Sequence, residues 1–164
     1  MKKLLGRMLC LSLALLILIS ASACSYPGKN MKIYREDGTA LHLSDVTGKP
    51  TVVCFWVSWN RESALFMSDF EAMYSFYGDR VNFLAVSLTD GTAETKETAL
   101  RFVREAGYTF PVYFDLDGAA QFTFELRGIP SLLFSDRTGR GIYFLHTAPD
   151  AQTFQTAILD ILSL

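Results

Sequence analysis

Apolar positions recur along this chain in two rhythms. Continuous apolar runs at Thr51–Val57 and Val81–Ser87 read as central strands buried on both faces. Between them, Phe66, Phe70, Met73 and Tyr77 fall at spacings of four, three and four, the repeat of one helix face. That repeat predicts a helix over Arg61–Tyr77, ended by Gly78, with its apolar stripe packed into a core. Upstream, Lys32-Ile33-Tyr34 and Leu41-His42-Leu43 flank Asp37-Gly38 and predict a hairpin. Downstream, a polar-faced helix is expected over Ala93–Ala106, stopping at Gly107, and a short one over Ala119–Glu125. Ser131–Ser135 and Gly141–Thr147 form a second hairpin across the Asp136–Gly139 turn. A last helix opens at Asp150 and runs to about Leu162, with Phe154, Ile158 and Ile161 on one face. Strands alternating with helices, then a hairpin and a final helix, predict an α/β fold. Its central mixed sheet is flanked by helices and extended by the N-terminal hairpin.

The N-terminus follows a different pattern. Lys2, Lys3 and Arg7 precede the apolar run Met8–Ile19, and Ser20-Ala21-Ser22-Ala23 follow it. This is the layout of a secretory signal, and the run is shorter than the roughly 20 residues a membrane span needs; an uncleaved N-terminal anchor is the alternative reading. The expected organisation is a signal at 1–23, a lipidated Cys24 with a tether at 24–30, and one domain at 31–164. Removal of the signal lowers the basic count from 15 to 12 against 17 acids, a net charge of −5. Such a balance argues against a nucleic-acid partner, which requires a basic face. With Cys10 in the signal and Cys24 acylated, Cys54 is the one thiol left in the domain, so no internal disulfide is expected.

The chemistry turns on Val53-Cys54-Phe55-Trp56-Val57-Ser58-Trp59-Asn60-Arg61-Glu62-Ser63. A strand runs into Trp59 and a helix follows. Asn60 is a strong N-cap candidate, and Glu62 suits the positive end of the helix dipole. A second reading makes the helix start an anion or peptide-carboxylate site, built from Arg61 and free N–H groups.

This string resembles the active-site entry of the thioredoxin-like, membrane-tethered thiol oxidoreductases of the TlpA/ResA type, F-W-A-[ST]-W-C-x-x-C. Phe55, Trp56, Ser58 and Trp59 match, while Asn60 and Ser63 stand where the two cysteines would be. In that family the helix often continues with an acid and a proline, whose places Phe66 and Ser68 take here. Gly128-Ile129-Pro130-Ser131 and Phe110-Pro111-Val112 also match, so the resemblance spans nearly the whole domain. It implies a cis Pro130 facing the active-site helix, with the backbone before it able to pair with an extended peptide. Ala23-Cys24 similarly resembles a bacterial lipobox, which implies lipid anchoring on the extracytoplasmic face of the cell membrane.

Dithiol exchange needs one thiolate to attack and a second thiol to resolve the mixed disulfide. Asn60 cannot ionise, and the Ser63 hydroxyl has no evident base. The catalytic positions are therefore read as degenerate, and Trp56, Trp59, Arg61, Ile129 and Pro130 as retained recognition surface. Cys54, within a buried strand, is expected to be structural. His42 and His146 have no Cys or acidic cluster at metal-ligand spacing, and no metal or cofactor is expected. Asp115 and Asp117 read as turn acids. The leading expectation is an anchored protein that binds an extracytoplasmic protein or peptide, a redox membrane protein among the candidates. The competing readings are a thiol-disulfide oxidoreductase or thiol antioxidant, and a structural subunit beside a redox membrane partner.

Overall fold

The computed structural model describes Gly28 and residues 31–164. The expected signal, Cys24 and most of the tether lie outside the described residues. Seven strands form one sheet in the order β2-β1-β5-β4-β3-β6-β7. These are β1 (Lys32–Tyr34), β2 (Ala40–His42), β3 (Thr51–Trp56), β4 (Asn82–Ser87), β5 (Val112–Phe114), β6 (Ser131–Ser135) and β7 (Gly141–Leu145). β3, β4 and β5 run parallel, and β6 is antiparallel to β3 and to β7. The N-terminal hairpin is part of this sheet, because β1 pairs antiparallel with β5 through Tyr34 and Phe114.

Alternation along the central strand assigns the two core layers. Val52, Cys54 and Trp56 face one side, where Phe66, Phe70 and Tyr77 of α1 (Arg61–Tyr77) meet Phe154, Ile158 and Ile161 of α4 (Ala151–Leu162). Ala99 and Val103 of α2 (Lys96–Ala106) complete that layer. Val53 and Phe55 face the other side, against Ala120 of α3 (Ala119–Thr123) and against Phe124 and Leu126 just after it. All of Thr51–Val57 is buried, which is why the run carries no polar alternation. The predicted stripe of α1 does pack inward: Phe70 stacks on Phe154 at 6.1 Å and meets Phe110 edge-on at 5.1 Å.

Local chemistry sets the ends of the elements. α1 spans the predicted residues. α2 begins three residues later than expected, because Thr95 caps it: the Thr95 hydroxyl accepts from the Thr98 amide, and the Thr98 hydroxyl accepts from the Thr95 amide. Its C-terminus closes on Gly107 in the left-handed region (φ 72°), which a side chain would strain. α3 stops at Thr123, two residues short of the prediction. β2 ends at His42, and Leu43–Asp45 forms a 3₁₀ turn instead of continuing the strand.

Candidate functional site

The site is built where β3 ends. Trp56 closes the strand, Val57–Asn60 form the bend, and α1 starts at Arg61. Asn60 has extended backbone angles, and its side-chain oxygen accepts from the Ser63 amide at 2.9 Å. The capping reading of Asn60 therefore holds. A neutral amide oxygen occupies the N-terminal turn, where the dipole favours negative charge. Ser63 is fully buried, and its hydroxyl finds no hydrogen-bond partner among the described residues.

Phe55 lies opposite Ser131 in the β3–β6 register, so Trp56 and Pro130, one step beyond, occupy the same end of the sheet. The Ile129–Pro130 peptide bond is cis. Gly128 just before it lies so close to β7's continuation that an added Cβ would sit 2.6 Å from the His146 carbonyl oxygen. The Ser131 hydroxyl donates to the Gly128 carbonyl at 2.7 Å, closing the turn.

The proposed recognition residues do not all reach solvent. Trp59 is 59% exposed and Arg61 is exposed, whereas Ile129 is half-buried and Pro130 is buried. Trp56 requires a correction. It is fully buried, packs against Phe102 at 5.5 Å and belongs to the core, because strand alternation turns it under α2. Its indole N–H has no partner among the described residues. Cys54 is also fully buried, and desolvation pushes its thiol far above the ordinary range, so a thiolate is disfavoured. His42 and His146 are half-buried. Among the described residues no group of His, Cys, Asp and Glu is placed to hold a metal ion.

Two acids proved more deeply placed than their sequence context suggested. Glu94 is fully buried, and its carboxylate accepts from the Ser58 amide (2.9 Å), the Ser58 hydroxyl (2.7 Å) and the Ser87 hydroxyl (3.0 Å). Asp115 is not a solvated turn acid: it is 2% exposed and accepts from the amides of Ala119 and Ala120, capping α3. Burial pushes its carboxyl above the ordinary range, and those two amides pull it partly back. Asp117 does sit at the turn, accepting from the Tyr34 hydroxyl at 2.7 Å.

Comparison with known proteins agrees with this architecture. The sequence profile of the AhpC/TSA family matches residues 25–145. The thiol-disulfide oxidoreductase ResA of Oceanobacillus iheyensis is 30% identical over 104 residues, which cover 63% of this chain and 52% of that protein. The chain thus spans about half the length of the curated relative it matches. Among solved structures, a Chlorobium tepidum protein assigned as the thiol:disulfide interchange protein DsbE superposes with a TM-score of 0.72. It is 22% identical and covers 82% of this chain and 94% of its own. StoA of Bacillus subtilis gives 0.65 at 18% identity, with 77% and 93% covered. The exposed lipoprotein thioredoxin Etrx1 of Streptococcus pneumoniae gives 0.64 at 23% identity, with 79% and 97% covered. These likenesses establish the thioredoxin-like fold. By its sequence profile, the chain belongs to the AhpC/TSA family.

Proposed function

We propose that this chain is a lipid-anchored, extracytoplasmic thioredoxin-like protein that no longer performs dithiol exchange and instead binds a protein or peptide of the cell envelope. One observation carries the reading. The helix start that should hold an attacking and a resolving sulfur holds a capping amide, Asn60, and a buried hydroxyl, Ser63. Cys54, the one cysteine among the described residues, sits inside β3 with its thiol kept protonated by burial. Thiol exchange requires a thiolate with access to the partner disulfide, and Cys54 offers neither.

The exposed part of the old active site supports a binding role. Trp59 presents a large apolar ring and Arg61 a cation beside it, residue types enriched at recognition hot spots. The relatives named above and the sequence of residues 1–24 support the location. No helix of the described residues is long and apolar enough to cross a membrane. The attachment proposed is a lipid on Cys24. The competing reading, a thiol-disulfide oxidoreductase, is favoured by the ResA relationship.

Photo-cross-linking on intact membranes tests the binding role. Trp59→Ala and Arg61→Ala should each reduce the yield of cross-linked envelope partner while leaving Tm within about 1 °C, under the ~2–4 °C that ~1 kcal/mol would move. Unchanged yield from both variants would remove the binding face. Palmitate labelling tests the anchor: incorporation in wild type and none in Cys24→Ala is expected, and equal labelling would refute it.

A further inference from the structure

Behind Trp59 lies a carboxylate that the proposed function does not use. Glu94 belongs to the loop between β4 and α2, yet its side chain turns inward and is fully buried. The loop is wound to aim it. Asp90 Oδ1 accepts from the amides of Thr92 and Glu94, and the Glu94 carbonyl accepts from the amides of Asp90 and Gly91. A buried carboxylate is costly unless donors satisfy it. Here all three donors are neutral, and two belong to one residue: Ser58 gives both its backbone N–H and its hydroxyl to Oε2. The third is the Ser87 hydroxyl at the end of β4, on Oε1. Both bonds from Ser58 converge on one oxygen, at 2.9 and 2.7 Å, so the grip on Ser58 is firm.

Ser58 directly precedes Trp59. The bend that carries Trp59 is thus held on one side by Glu94 and on the other by the Asn60 cap of α1. The Leu88 amide donates to the Trp56 carbonyl at 2.9 Å, tying the start of the same loop to the end of β3, from which the bend departs. We infer that Glu94 is the positioning residue of the candidate binding face, fixing through Ser58 the direction in which Trp59 is presented. A carboxylate needed only to close its own loop would have Ser87 at hand and no need of the two bonds to Ser58. The inference rests on Trp59 being the recognition residue, but its first readouts are independent of any partner.

The full chain would be tested by hydrogen exchange at the Ser58 amide and by acrylamide quenching of Trp59, taken as the difference from Trp59→Phe. Glu94→Gln should raise Ser58 exchange at least tenfold and change the Trp59 quenching constant. Ser87→Ala, which removes only the third bond, should leave both within twofold of wild type. If Glu94→Gln does not fold, Ser58→Ala reads the same quenching and should shift it in the same direction. A folded Glu94→Gln with wild-type exchange and quenching, or a Ser58→Ala with wild-type quenching, would overturn the inference. Cross-linking separates the two levels. If Trp59→Ala abolishes partner capture and Glu94→Gln leaves capture, exchange and quenching intact, positioning by Glu94 is wrong. If exchange and quenching shift but Trp59→Ala captures normally, positioning stands and the binding face falls.

Discussion

Ser63 offers a sharp energetic test, because the fold buries its hydroxyl without giving it a partner. Removing a hydroxyl from water with no compensating bond costs about 1–3 kcal/mol. Ser63→Ala deletes that oxygen and keeps everything else the site uses, since the Asn60 cap accepts from the Ser63 backbone amide, not from its side chain. Ala is also the better residue inside a helix, by up to ~0.7 kcal/mol. Against this stands the small void left by one oxygen atom, which costs well under the ~1 kcal/mol expected for a methyl-sized cavity. The balance favours stabilisation by roughly 1–2 kcal/mol, or ~2–8 °C in Tm for a domain of this size. Urea unfolding followed by circular dichroism reads it directly, as a higher midpoint at unchanged slope. Ser63→Cys should stabilise as well, since a thiol is a weaker hydrogen-bonding group that tolerates burial. A midpoint lowered by more than the equivalent of ~0.5 kcal/mol in Ser63→Ala would show that the hydroxyl is satisfied in solution. The unfavourable-hydroxyl argument would then be abandoned.

Three other outcomes follow from the geometry. Asn60→Ala should cost ~1 kcal/mol through the lost cap, measured by the same unfolding, with partner cross-linking unchanged. Gly128→Ala should destabilise clearly, because its Cβ would press to 2.6 Å on the His146 carbonyl; a wild-type midpoint would mean that the turn relaxes freely. Asp115 gives a pH effect: its carboxyl lies above the ordinary value when folded, so the folded state holds the proton more tightly than the unfolded chain. Its stabilising contribution is complete below the unfolded pKa and is lost as pH rises through the raised folded value. Asp115→Asn should flatten the stability profile in that window, and an unaltered profile would contradict the assignment.

The sequence made the frame legible wherever one local signal dominated. The run Thr51–Val57 carried no alternation because both faces of β3 are covered, and α1 was bounded correctly by Asn60 and Gly78. The start of α2 was misplaced because its cap uses a second threonine, Thr98, where a Glu or Gln would have made the signature obvious. Burial of polar residues was the least legible property. Nothing in Thr92-Ala93-Glu94-Thr95 marks Glu94 as an interior acid, since Ser58, which gives two of its three bonds, lies 36 residues away and comes beside Ser87 only through the parallel pairing of β3 and β4. Trp56 and Trp59 look alike in the motif, yet strand geometry sends one to the core and the bend leaves the other in solvent.

The central claim is that the start of α1 performs no dithiol exchange. Catalysed reduction of insulin by dithiothreitol, followed by turbidity, tests it most directly. Wild type and Cys54→Ser should both match the uncatalysed rate. Turnover well above that rate in wild type, persisting in Cys54→Ser, would contradict the claim.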